Sequence, residues 1–409
     1  MRKPFSIAFI VRDPLPPLRA DLLALFGAEM PRHGLGSELV GQAGAGPAAP
    51  WGAGGMHVIG RFGSRYASLL SPWWDLLGLL RARRRARPDA IQVRDKIASS
   101  LVGRAAAVLL GVPFVYWMSF PIVEGYDARR DDLERRGKRL ARLAHALRAA
   151  AARHTLYRLV LPGARHIFVQ SDAMADWLAA KGVERSRMTA VPMGVDTALF
   201  DRRQIVPSLD PRLAGRRVVL YLGRIARSRQ SGFLLDVATL LRRHEPGVLL
   251  VIAGDAPSNE EMAWMRADIA RRGLGRHVLL TGWLPQQAAL GYAVRAEVGL
   301  SPIPRGVLFD VSSPTKLVEY LALGIPSVAN DIPDQARVLA ASGAGLCVPM
   351  EADVFATAIR RLLHEPGLAA GCAARGPAWV RANRSYAILG QVVAQAYARI
   401  LADGAEGAD

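Results

Sequence analysis

Short, almost wholly apolar runs alternate along this chain with longer stretches in which leucine, alanine and valine recur three and four residues apart. The short runs, at 5–11, 89–93, 112–118, 166–171, 217–222, 248–254, 277–282, 297–301, 325–329 and 344–349, predict strands buried in parallel sheets. The longer stretches predict crossover helices, among them 19–30, 131–158, 354–364 and 385–401. Ser171 is placed to cap a further helix. The strand at 217–222 restarts a strand–helix–strand series, as a second domain would. Residues 38–40 begin another strand, and the Gly-, Ala- and Pro-rich 41–55 reads as a flexible loop. Inside it, 44–49 superficially matches a dinucleotide fingerprint, but Pro47 and Pro50 oppose the helix that such a fingerprint must open.

At 409 residues the chain is long enough for about two cores. Apolar content of 51% with 22% charged residues describes a globular protein. Cys347 and Cys372 have no ligand-like spacing and read as thiols in a reducing cytoplasm. The chain enters its first strand almost at once, so no signal peptide is expected. Residues 105–123 are apolar over the length of a membrane span, yet Gly111, Pro113 and Pro121 interrupt them. A helix end followed by a buried strand accounts for the run better.

The net charge of +18 favours anionic partners. Residues 81–87 carry five arginines directly after Trp73, Trp74 and a leucine-rich run, and 135–158 is a second basic helix pattern. Aromatic and leucine positions beside arginines suit a helix lying on an anionic membrane surface; solvated surface helices fit the same residues. No nucleic-acid motif or aromatic stacking platform accompanies the arginines, so no nucleic-acid partner is expected.

Candidate chemistry concentrates in 312–326. Ser313 suits the N-cap of a short helix, Pro314 its first position, Gly324 its left-handed C′ position, and Pro326 the stop. Free N–H groups at that helix start, with Lys316 beside them, form a ready anion site. Glu319, a turn and a half in, can accept two hydroxyl bonds from a ribose. An ordinary capped helix with a solvated Lys–Glu surface is the competing reading. In the N-terminal half, Asp13, Arg94, Asp95 and Glu124 fall at or just beyond strand ends, where doubly wound sheets bind ligands. Arg94 and Asp95 equally fit an ion pair inside the domain.

Residues 312–329 resemble the donor-site helix of the family-4-type retaining glycosyltransferases (glycosyltransferase group 1), which have the GT-B fold. Three further segments resemble that family in the correct order: 191–200, its interdomain segment; 223–230, its Gly-Arg loop; and 254–257, its Gly-x-Gly-Pro turn. The resemblance implies two Rossmann-like doubly wound α/β domains facing a central cleft: an acceptor domain over 1–196, a donor domain over 197–380, and a last helix within 381–409 crossing back to the first domain. It implies that Arg224 and Arg229 meet the donor diphosphate, with Arg229 standing where the family has Lys. Gly223, Gly254, Trp283 and Leu284 would line the donor site with Ser313, Pro314, Thr315, Lys316 and Leu317, and Glu319 would hold the ribose.

The chain departs from the family in three places. The first Glu of its E-x(7)-E pattern is Val311 here, with Asp310 one residue off. Prolines replace the glycine-rich turn after the first strand. No His stands near 119–125, where Glu124 is the acceptor-side substitute.

The implied activity is a metal-independent, retaining transfer of a hexose from a UDP- or GDP-type sugar. No cofactor is expected. The acceptor would be a lipid-linked or membrane-proximal glycan in surface polysaccharide or glycoconjugate assembly, and the enzyme cytoplasmic and peripheral on the inner membrane face. A non-catalytic nucleotide-sugar or lipid-binding GT-B protein, or a GT-B sugar-nucleotide epimerase, is the alternative.

Overall fold

The computed structural model describes residues 5–46, 50–64, 66–135 and 139–406. Residues 47–49 of the fingerprint match, the first four residues of the chain and 136–138 of the second basic stretch lie outside the described residues. Two compact units form: Met1–Pro192 with Tyr386–Asp409, and Met193–Ser385.

The first unit is built on a seven-stranded sheet, ordered β3-β2-β1-β4-β5-β6-β7, with every neighbour parallel. Its strands are β1 Phe5–Ile10, β2 Leu35–Ala43, β3 Met56–Arg61, β4 Ala90–Arg94, β5 Phe114–Met118, β6 His166–Val169 and β7 Met188–Ala190. Around them run α1 Met30–Arg32, α2 Ala67–Arg85, α3 Ile97–Leu110, α4 Ile122–Arg135, α5 Arg139–His154, α6 Leu161–Gly163 and α7 Asp172–Ala179. A π-wound segment, Asp21–Glu29, leads into α1.

One line of aromatic rings organises this core: Phe9, Phe26, Trp117, Phe168 and Tyr397, with successive centroids 4.7, 5.3, 4.9 and 5.6 Å apart. It ties β1, the π-wound segment, β5 and β6 to the chain's last helix, Tyr386–Glu406. Such tilted contacts add to the burial of the rings themselves. The hydroxyl of Tyr397 also donates to Gln92 on β4.

Two expectations change here. The predicted loop at 41–55 is shorter, because β2 continues to Ala43 and β3 begins at Met56. As a half-exposed edge strand, β3 lacks the apolar run that marks its neighbours. The basic stretch 131–158 is not one helix, since α4 starts at Ile122 and α5 is separate. These two pack together, with Arg148 lying 4.9 Å from the Tyr126 ring and Arg153 paired with Asp127. The apolar 105–123 is the end of α3, a left-handed turn at Gly111 and the wholly buried β5. Among the described residues no helix is long and apolar enough to cross a membrane. Ser171 does cap α7, accepting from the Met174 N–H at 3.0 Å.

The second unit holds a six-stranded sheet, ordered β10-β9-β8-β11-β12-β13 and again parallel throughout. The strands are β8 Arg217–Leu222, β9 Val248–Ala253, β10 Val278–Gly282, β11 Val298–Ser301, β12 Ser327–Asn330 and β13 Gly345–Val348. The helices are α8 Phe233–His244, α9 Asn259–Arg271, α10 Gln286–Ala293, α11 Val307–Asp310, α12 Thr315–Ala322, α13 Pro333–Ser342, α14 Ala352–His364 and α15 Pro366–Asn383; the final helix, α16, is Tyr386–Glu406 of the first unit.

Each face of this sheet carries its own apolar cluster. One contains Val219, Leu250 and Phe355, the other Leu220, Val251 and Leu321. Strand order reverses between β8 and β11, and ligands bind beyond the carboxyl ends of the strands at such a switch point.

Candidate functional site

Three strands of the second unit end in glycines with positive φ: Gly223 after β8 (153°), Gly254 after β9 (154°) and Gly282 ending β10 (71°). Bare backbone is required at the middle position. A β-carbon on Gly254 would lie 2.1 Å from the Gly223 carbonyl oxygen. A bridge also joins Gly254 to Gly282, so the three strand ends form one continuous rim of partly exposed backbone. Past the rim, Trp283 is 72% exposed while Leu284 packs back on the core.

The start of α12 meets this rim. A β-carbon on Gly223 would lie 3.2 Å from the Lys316 ammonium, and that ammonium sits 5.1 Å from the centre of the Tyr221 ring. Tyr221 in turn donates to the Arg224 carbonyl at 3.3 Å. The N–H groups of Thr315, Lys316 and Leu317 occupy the first turn and have no intrahelical acceptors. The Leu317 side chain is buried, so only its backbone can serve a ligand.

Tyr320 wedges α12 into place. Its hydroxyl accepts from the Leu222 N–H at 2.7 Å, and its ring fills the space that a β-carbon on Gly299 would occupy. The far end closes as a Schellman motif: Gly324 N–H bonds the Leu321 carbonyl, Ile325 N–H bonds the Tyr320 carbonyl, and Gly324 has φ 65°.

The N-terminal reading of this helix is corrected. Pro314, not Ser313, is the N-cap, and it offers no side-chain bond. Ser313 is buried and turned inward. Its hydroxyl donates to Asp334 at 2.8 Å and accepts from the Met193 N–H and from Arg384, which itself donates to Asp334 at 2.6 Å. Ser313 therefore fixes the loop before α12 from inside the unit.

Arg224 and Arg229 are exposed and make no ion pair among the described residues. Their neighbour Arg227 is committed elsewhere: it lies over the Trp264 ring at 4.8 Å and its backbone N–H bonds Glu261. Glu319 is partly covered and its carboxylate has no hydrogen-bond donor among the described residues. Desolvation pushes its pKa up, Lys316 opposes this, and the balance falls at about 7. Val311 is buried and Asp310 is held by Arg305 at 2.9 Å. Cations at a rim of backbone N–H groups can hold a diphosphate, and a carboxylate set behind them can accept from a sugar ring's hydroxyls.

The acceptor-side candidates in the first unit look different. Arg94 is fully buried, donating to Asp21 at 2.5 Å and to Ser119 at 3.4 Å. Asp95, with φ 51°, accepts from the Ser119 N–H at 2.9 Å and from its hydroxyl; burial pushes its pKa up. Asp13 stands 3.9 Å from Arg19, which also grips Asp21. Glu124 accepts from Tyr157 at 3.2 Å and faces Lys181 at 3.4 Å, while its other oxygen is buried without a partner among the described residues. Sequence reasoning passed over Tyr221 and Tyr320. A tyrosine at a strand's end and another next to Glu319 were the available signals.

Residues 24–199 match the Glycosyltransferase Family 4 model and 216–365 the model for Glycosyl transferases group 1. A GDP-mannose-dependent alpha-(1-6)-phosphatidylinositol monomannoside mannosyltransferase of Mycolicibacterium smegmatis is 28% identical over 50% of this chain and 54% of its own length. A phosphatidyl-myo-inositol mannosyltransferase of the same organism is 32% identical over 45% of each chain. The chain spans about half the length of the curated relatives it matches. Among solved structures, the sucrose-phosphate synthase of Thermosynechococcus elongatus superposes with a TM-score of 0.70 at 18% identity, covering 98% of this chain and 100% of that one. Anabaena HepE in complex with UDP gives 0.65 at 15%, covering 97% and 100%. These likenesses show the GT-B fold. Matched in both halves by these two family models, the chain belongs to the group 1, family 4 glycosyltransferases.

Proposed function

We propose that this glycosyltransferase moves a hexose from a UDP- or GDP-type sugar, with retention of configuration, to a lipid-linked or membrane-proximal glycan. One observation carries the reading: the glycine rim at Gly223, Gly254 and Gly282 is faced by Lys316 and continued by the unpaired Arg224 and Arg229. As the bond from the anomeric carbon to the β-phosphate oxygen breaks, these cations and the first turn of α12 stabilise the departing diphosphate without a metal. A phosphate oxygen takes the acceptor hydroxyl's proton, and the acceptor oxygen bonds the anomeric carbon on the same face. Glu319 holds the ribose.

Two features support the acceptor and location. The relatives named above act, by their names, on phosphatidylinositol compounds. In this chain α2 exposes Trp73 (67%), Leu69, Leu77 and Leu80 before its arginines, and α5 exposes Leu140 (85%), Leu143 and Leu147. Exposed leucines and an aromatic ring beside arginines suit a peripheral position on the anionic inner face of the cell membrane.

Thermal stabilisation by UDP, GDP, ADP and dTDP, repeated in Glu319→Ala and Arg224→Ala, tests the donor site. Selective stabilisation lost in both variants is expected; no response to any nucleotide overturns the reading. Sedimentation with anionic liposomes at low salt tests the membrane face, and a protein left wholly in the supernatant removes it. A second reading, nucleotide-sugar binding without transfer, is favoured by the buried Val311 and the paired Asp310. It is chosen if bound donor is neither hydrolysed nor transferred.

A further inference from the structure

A cavity of about 750 Å³ lies within the first unit at the end of the sheet opposite the acceptor-side candidates. It opens at Phe114 and His166, the first residues of β5 and β6, whereas Asp95 and Ser119 follow the last residues of β4 and β5. A five-residue strand separates the two ends by roughly 16 Å. Four arginines line the cavity: Arg104 from α3, Arg165 before β6, Arg187 before β7 and Arg399 from α16. Glu184 is the one carboxylate among its described lining residues, and it accepts from the Ser186 hydroxyl.

The arrangement is built, not merely crowded. A β-carbon on Gly163 would lie 2.4 Å from the Arg104 Nε, so this guanidinium rests on bare backbone. Arg104 then donates to the Leu159 carbonyl at 2.7 Å, and Arg187 to the carbonyls of Leu161 and Pro162 at 3.0 and 3.1 Å and to that of Ala164. Capping the helical turn that ends at Gly163 explains those two residues. It does not explain Arg399, which is exposed and has no carboxylate partner among the described residues. His166, buried at the cavity floor, bonds Thr189 at 2.9 Å. Burial, then Arg399 and Arg187, push its pKa down to about 4, as a net positive cavity requires.

We infer that this cavity is a second anion site, taking a phosphate-bearing group of nucleotide or phosphosugar size through Arg104, Arg165, Arg187 and Arg399. A volume of this order accommodates such a molecule, and forked guanidiniums bind phosphate oxygens in pairs. The phosphate can belong to a soluble metabolite or to a lipid headgroup.

Histidine NMR on the full chain tests the site locally, with the His166 signal assigned through His166→Gln. Inorganic pyrophosphate is expected to move that signal saturably and to raise its titration midpoint by about one unit. In Arg165→Ser/Arg399→Ser the pyrophosphate dissociation constant should rise at least ~10-fold. Arg224→Ala, in the other unit, should leave the response unchanged. A shift produced by phosphatidylglycerol vesicles and not by pyrophosphate assigns the site to a lipid phosphate. If neither probe moves His166 in protein that UDP still stabilises, the inference fails. It fails equally if the double variant responds like the parent.

Discussion

The two sheets share the strand order 3-2-1-4-5-6 in sequence terms, the first adding a seventh strand at its edge, and both gather charge at the carboxyl ends of their strands. They use that charge in opposite ways. In the second unit three strands run into glycines, and Arg224 and Arg229 are left open to solvent without carboxylate partners among the described residues. In the first unit Arg94 is buried against Asp21, Asp95 is buried against Ser119, and Lys96 is closed by Asp75 at 2.7 Å and Gln42 at 2.9 Å. A charge matched inside the fold holds the chain together and has little left for a ligand. An unmatched charge on bare backbone adds little to stability and is available for binding.

That contrast predicts where mutations act. Arg94→Leu, which removes one of the two guanidiniums holding the buried Asp21, should cost about 3–4 kcal/mol in urea unfolding. The acid limb checks the same pair. Desolvation raises the Asp21 pKa, and Arg94 and Arg19 more than reverse this, to about 2. A carboxyl whose folded pKa lies below its unfolded value near ~4 contributes stability above that value and loses it as pH falls toward about 2. The loss between these limits should flatten in the variant. An unchanged urea midpoint would erase the distinction between the two units.

Gly254→Ala comes next, with about 3 kcal/mol lost through positive φ and the clash with Gly223, and nucleotide binding lost with it. Arg224→Ala should behave in the reverse manner. Its melting temperature should barely move, with stability within about 0.5 kcal/mol of the parent. Calorimetry should show UDP or GDP affinity falling by roughly 10- to 100-fold.

Glu319→Gln is the smallest and the sharpest case. Its carboxyl has a folded pKa of about 7, above the unfolded value, so ionisation between about 4.5 and 7 costs stability. Partial exposure reduces the expected gain at pH 8 to about 1–2 kcal/mol, and the gain should shrink toward pH 5. Nucleotide affinity should fall in the same variant. In the parent it should rise with pH through about 7, as the carboxylate forms to accept the ribose hydroxyls. If removing the charge leaves both stability and binding unchanged, Glu319 is not the desolvated ribose partner.

Wherever local pattern controls structure, the sequence was sufficient. The strand at 217–222 was read to the residue, and the left-handed Gly324 follows from its position before Ile325 and Pro326. Family motifs set the loop after β8 beside the start of α12, and Lys316 does lie against Gly223, because each occupies a fixed offset from a strand or helix end. The edge strand β3 went unread because its side chains are half exposed, and Ser313 was misread as a cap because a serine before a proline-started helix looks like one. What claims Ser313 is Arg384, 71 residues away.

The sequence by itself determined the α/β class, most of the core strands and the left-handed close of α12 at Gly324, since apolar periodicity and a C-terminal glycine act over a few positions. Only the tertiary structure decided which charges are matched. Arg94 finds Asp21 across 73 positions, while Arg224, equally basic and equally near a strand end, finds no carboxylate among the described residues. An ion pair depends on distance in space and on exclusion of water, and neither is written in the order of the residues.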